Sequence, residues 1–126
     1  MLAGLSPKVA LVVAPHADDE ILGAGGFIAR ASQASWEVGV LFATVSGYRS
    51  ALSGESSTGD ERLQEVQAAL KMAGAAWFEI FRRHEDHHLR LDQVPQTELI
   101  AFIESFLSRC RPSVVIVPCR GHYHQD

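Results

Sequence analysis

The sequence predicts an α/β fold built on a parallel sheet. Four short apolar runs, rich in β-branched residues and lacking polar alternation, read as strands buried on both faces. Three segments with helical apolar spacing separate them. The resulting order, β-α-β-α-β-α-β, calls for parallel strands joined by right-handed crossovers. At 126 residues, the chain is shorter than the ~150 of a typical domain, so a single domain over residues 1–126 is expected.

The first strand is Val9 to Ala14. The first helix covers roughly Glu20 to Ser32 and carries Gly23, Ala24, Gly25 and Gly26 near its start. Glycine lowers helix propensity, so context supports this helix, and small residues let it lie close to a sheet. The second strand is Val38 to Val45, entered through Trp36. Ser46 to Gly59 follows as a long Ser- and Gly-rich loop, a length often tied to function. The second helix runs from about Asp60, a candidate cap, to Ala73, with Leu63, Val66, Leu70 and Ala73 on one stripe and Gly74 at its end. The third strand, Trp77 to Phe81, is weaker. The third helix starts near Pro95, carries Leu99, Ile100, Ile103, Phe106 and Leu107, and is barred from extension by Pro112. Val114 to Val117 is the fourth strand.

Composition narrows the function classes. Eleven Lys and Arg against fifteen Asp and Glu give a formal charge of −4, without the basic footprint that nucleic-acid binding usually shows. A hydrophobic share of 47% with 21% charged residues is that of a globular chain, and excludes disorder. Cys110 and Cys119 form no CxxC pair and read as structural. Two cysteines fit a reduced, cytoplasmic setting. No apolar run reaches the ~18 residues of a membrane span.

Polar chemistry gathers at two strand ends. Strand one ends in Pro15-His16-Ala17-Asp18-Asp19-Glu20, and strand four in Gly121-His122-Tyr123-His124-Gln125-Asp126. Open α/β sheets bind ligands beyond the carboxyl ends of their strands. In the doubly wound, Rossmann-like order 3-2-1-4, strands one and four are neighbours, so the two clusters face each other across one crevice. Imidazole and carboxylate together form a zinc-type ligand set. His16 and Asp19, three apart around a tight turn, can converge on one ion, which leaves Asp18 as a supporting group or general base. The plainer alternative is that the three acids only favour a helix N-terminus electrostatically.

The stretch Ala14-Pro15-His16-Ala17-Asp18-Asp19-Glu20 resembles the [AP]-H-P-D-D-E signature of the LmbE-like (PIG-L-type) zinc-dependent N-deacetylases, with Ala17 in place of the motif proline. His124-Gln125-Asp126 fits the first three positions of that family's H-x-D-H. Arg62-Leu63-Gln64-Glu65 resembles its R-x-x-E, Asp86-His87-His88-Leu89 its D-x-x-L, and Arg111-Pro112-Ser113-Val114-Val115 its entry to the later strand. The resemblance implies that His16 and Asp19 bind Zn2+ or another divalent metal and that Asp18 is the general base. It further implies that His124 steadies the oxyanion and that Arg62 and Asp86 contact a sugar. The plainer readings are a solvent-facing histidine, a helix-surface charge and a loop acid. The implied enzyme is a metal-dependent N-deacetylase acting on an N-acetylglucosamine-type sugar or glycoconjugate.

The family's last motif histidine, a third metal ligand, would follow Asp126. Strand four would also be an uncovered apolar edge, which soluble proteins avoid and which invites self-association into a homo-oligomer. The expectation is a C-terminally incomplete domain that alone binds zinc weakly and turns over slowly. Competing signals are weaker. His84-Glu85-Asp86-His87-His88 matches H-E-x-x-H but lacks a helical stripe around it. Gly23-Ala24-Gly25-Gly26 fails G-x-G-x-x-G, because Ile28 stands where the third glycine belongs. No G-x-S-x-G elbow occurs. The rival reading is a non-catalytic carbohydrate- or nucleotide-binding domain of the same fold. A third is an amidase acting on a thiol conjugate or another N-acyl small molecule through the same site.

Overall fold

The computed structural model describes residues 2–83, 85 and 90–119. The chain forms β1 (Val9–Ala14), α1 (Asp19–Gln33), β2 (Glu37–Phe42), β3 (Tyr48–Arg49), β4 (Ser56–Ser57), α2 (Gly59–Ala73), β5 (Trp77–Ile80), a 3-10 turn at Leu91–Gln93, α3 (Gln96–Cys110) and β6 (Val114–Ile116). The main sheet is fully parallel, in the order β5-β2-β1-β6. Counted as the four strands that the apolar runs predict, this is the order third, second, first, fourth. The labels differ from that count because a short hairpin, β3–β4, lies within the loop of 46–59.

Strand alternation sends side chains to two layers. Ala10, Val12 and Ala14 of β1, with Val38, Val40 and Phe42 of β2, join Ala24, Ile28 and Ala31 of α1 and Val66 and Leu70 of α2 in one buried cluster. Val13 and Leu41 point the other way, towards Leu99, Phe102 and Ile103 of α3. Helices therefore cover both faces, and β1 and β2 lie almost entirely inside. Trp77 stacks on Phe106 with ring centroids 5.7 Å apart, and Phe81 meets Phe102 edge-on at 5.5 Å. The third helix has no buried residue. On β6, Val115 is exposed, as is Val117 just beyond it, in keeping with an edge strand.

Gly39 sits directly against the Trp77 ring, where a Cβ would approach closer than 3.0 Å. Gly74 ends α2 at φ +86°, the left-handed conformation open to glycine. One cap differs from expectation. Thr58, not Asp60, starts α2: its hydroxyl accepts the Glu61 amide at 3.2 Å, and the Glu61 carboxylate accepts the Thr58 amide at 2.7 Å. Thr58-Gly59-Asp60-Glu61 is a capping box, and Thr58 is the residue that takes the extended backbone a cap requires. Pro95 stands just before α3, at its cap position.

Candidate active site

β1 leaves the sheet through Pro15, His16 and Ala17 and reaches Asp18. The Asp18 carbonyl opens α1 by accepting the amides of Ile21 at 3.0 Å and Leu22 at 2.8 Å. The residue itself adopts φ +103° and ψ −36°, a conformation that side-chain-bearing residues rarely take. This kink gives three consecutive carboxylates three different partners.

The Asp18 side chain makes no cap to the helix. It reaches across 44 positions of sequence to Arg62, whose Nη2 donates to Oδ2 at 2.8 Å. Asp19 turns back on the strand end. Its Oδ2 accepts the His16 amide at 3.0 Å and lies 3.4 Å from the His16 Nδ1. Glu20 goes inward. It is 2% exposed, and its Oε2 accepts the Asp18 amide at 2.9 Å. Burial pushes its carboxyl above the usual carboxylate range, against the opposing effect of hydrogen bonds from its own and Asp18's amides.

Arg62 lies in the first turn of α2, which the capping box fixes in place. Its Nη2 also donates to the Ala17 carbonyl at 3.1 Å, and its Nη1 to the Glu65 carboxylate at 2.8 Å. The Tyr48 ring of the hairpin lies 5.7 Å from its guanidinium. The hydrogen bond to Asp18 is the largest influence raising the guanidinium's already high pKa. Arg62 and Glu65 share one side of a hollow of about 200 Å³ with Asp18 and Glu20. Beside the His16 turn, the Pro15 carbonyl accepts the Thr44 amide at 3.0 Å, and the buried Thr44 hydroxyl shares a hydrogen bond with Ser46 at 2.8 Å.

The donor pair can be tested for a metal by its spacing. Two ligands at about 2.0–2.1 Å from one tetrahedral zinc stand about 3.3 Å apart. The His16 Nδ1 and Asp19 Oδ2, at 3.4 Å, match that spacing, and one nitrogen with one carboxylate oxygen suits zinc. Among the described residues no group of three or more His, Cys, Asp or Glu could hold an ion, so the turn supplies two donors. His124 and Asp86 lie outside the described residues. So do His84, His87 and His88 of the H-E-x-x-H match. The strand leading towards His124 does lie beside β1, with Val12 in register with Ile116.

Sequence reasoning brought His16, Asp18, Asp19 and Arg62 to attention, and the structure brings these four together around one turn. It did not separate Glu20 from its acidic neighbours. The available signal was a glutamate directly ahead of an apolar helix face, at the point where the chain turns inward.

Solved structures share the fold of this chain. A conserved protein of Thermus thermophilus, TT1542, matches with 33% identity and a TM-score of 0.66, over 91% of this chain and 48% of its own. The N,N'-diacetylchitobiose deacetylase of Pyrococcus horikoshii matches at 22% identity with a TM-score of 0.70, over 94% of this chain and 44% of its own; at that identity the likeness speaks for the fold alone. GalB, a 4-carboxy-2-hydroxymuconate hydratase from Pseudomonas putida KT2440, matches at 28% identity with a TM-score of 0.62, over 86% and 45%. The chain thus spans about half the length of each of these structures. No curated protein matches it. The family model described as PIG-L, GlcNAc-PI de-N-acetylase, matches residues 11–126, from the middle of β1 through the last motif, and the chain belongs to that family.

Proposed function

We propose that this chain carries the strand-end site of a zinc-dependent hydrolase that removes an N-acetyl or other N-acyl group from an N-acetylglucosamine-type sugar or glycoconjugate. The observation that carries the reading is the division of labour at the end of β1. His16 and Asp19 form a donor pair 3.4 Å apart, while the neighbouring Asp18 is kept off that pair by Arg62 at 2.8 Å. A fold shared with a hydratase does not choose a reaction, so the reading rests on the site. The family description, GlcNAc-PI de-N-acetylase, supports the choice of an acetylated sugar as substrate.

In the proposed mechanism His16 and Asp19 would hold the metal. When bound, the ion polarises the amide carbonyl and brings the pKa of water to about 7. Asp18 accepts one proton of the attacking water and passes it to the leaving amine nitrogen as the C–N bond breaks, so that amide and water become amine and carboxylic acid. Arg62 holds the Asp18 carboxylate in one direction through that exchange. His124 steadies the oxyanion, a contribution worth about 10²–10³ in rate. Asp86 contacts the sugar.

The test is acetate release by the full-length protein with added zinc, across N-acetyl amino sugars. Asp18→Asn is expected to lower kcat by about 10²–10⁴. An Asp18→Asn variant equal to wild type, with no acetate released from any such sugar, would overturn the proposal. The rival binding-domain reading is separated by metal content: a binder needs no stoichiometric zinc, and His16→Ala would leave its ligand affinity intact.

A further inference from the structure

Glu20 has no part in the chemistry assigned above, yet its environment is unusual. It is the one charged side chain buried among the described residues, at 2% exposure. Burial of a carboxylate is costly unless hydrogen bonds compensate, so the bonds it makes define its place. One of them is the 2.9 Å bond from the Asp18 amide to Oε2. Asp18 is also the residue held at φ +103°. A glycine would take that backbone freely, but it would bring no carboxylate. The position needs both, and so something must hold an aspartate in a disfavoured conformation.

Two anchors act on Asp18 from different sides. Arg62 grips its carboxylate at 2.8 Å, and Glu20 grips its amide at 2.9 Å. If the amide anchor is lost, Asp18 can relax towards ordinary helical φ. Its carboxylate then swings relative to the His16 and Asp19 pair. Resting on the function proposed above, we infer that Glu20 is a positioning residue, which fixes the direction of the Asp18 carboxylate through the Asp18 amide without touching substrate.

The hydrogen bond, rather than the charge, carries this role. Glu20→Gln keeps an acceptor oxygen at the same reach, whereas Glu20→Met keeps length and bulk without a comparable acceptor. In the full-length zinc-loaded protein, Glu20→Met is expected to lose about 10- to 100-fold in kcat, with KM within about threefold and zinc content unchanged. Glu20→Gln is expected to recover kcat to within about threefold of wild type. A Glu20→Met enzyme with wild-type kcat overturns the inference, as does a Glu20→Gln enzyme as impaired as Glu20→Met. Should Glu20→Met fail to fold, hydrogen exchange at the Asp18 amide of the wild-type protein decides. Protection of at least about tenfold over an open chain is expected, and an unprotected amide overturns the assignment. Asp18→Asn runs alongside. If it stays fully active, the general-base reading fails; if it is inactive while Glu20→Met is not, only the positioning role fails.

Discussion

Replacing Arg62 by methionine removes the guanidinium while keeping most of the apolar stem that lies under it. Three hydrogen bonds go: 2.8 Å to Asp18, 3.1 Å to the Ala17 carbonyl and 2.8 Å to Glu65. Stability and activity should respond very differently. The Asp18 and Glu65 side chains are each 60% exposed, so water and salt screen both pairs, and such pairs contribute about 0–1 kcal/mol each. The expected cost in urea unfolding is therefore about 1–2 kcal/mol in all, counting the bond to the buried Ala17. Activity depends on where Asp18 points. A displacement of about 1 Å at a proton acceptor can cost up to about 10²-fold, or about 2.7 kcal/mol of barrier. The expectation is a 10- to 100-fold lower kcat for acetate release, with KM within about threefold. Arg62→Lys keeps a positive charge but loses the fork that serves Asp18, Ala17 and Glu65 at once, so it should fall between the two. A raised KM at unchanged kcat would refute the anchoring argument and leave Arg62 as a sugar contact alone.

Other consequences are open to direct measurement. A chelator should abolish acetate release by the full-length protein, and zinc should restore it; activity that survives exhaustive chelation refutes the metal reading. Gly39→Ala drives a methyl into the Trp77 ring, which Phe106 and the 2.8 Å bond from its Nε1 to Glu37 hold in place, so a loss of about 1–3 kcal/mol in urea unfolding is expected. Thr58→Ala removes the α2 cap and should cost about 1 kcal/mol at neutral pH. The Thr58 amide, followed by the Thr58 hydroxyl, holds the Glu61 carboxyl below its usual range. A lowered carboxyl stabilises the fold above its unfolded value, and that stability is lost as pH falls through the folded value. The difference between wild type and Thr58→Ala should accordingly shrink in acid; a difference that grows as pH falls would contradict the capping box.

Strands and helices were legible for a simple reason: each had to bury a face, and burial leaves a period in the letters. The Val9 to Ala14 and Val38 to Phe42 runs are apolar on both sides because helices cover both faces of the sheet. The β3–β4 hairpin left no such mark. Each strand is two residues long and mostly exposed, so nothing apolar repeats, and the segment reads as loop. Asp60 drew attention as a cap because aspartate is a good one. The structure prefers Thr58, whose extended backbone and partner Glu61 satisfy two amides where Asp60 would satisfy one.

The site shows where a sequence of letters becomes degenerate. Asp18, Asp19 and Glu20 are adjacent acids at a helix start, and the helix field favours all three by similar small amounts, about 0.3–1 kcal/mol each. On that ground alone they are interchangeable. What separates them is the Asp18 backbone, because φ +103° sends neighbouring side chains to places that regular helix geometry would not. One carboxylate then meets a histidine on the strand side of the turn, one meets an arginine 44 positions away, and one is buried beneath its neighbour's amide. The electrostatic reading and the chemical reading are therefore not rivals for the same charge. The field accounts for why acids are tolerated here, and the kink accounts for why they do three different things.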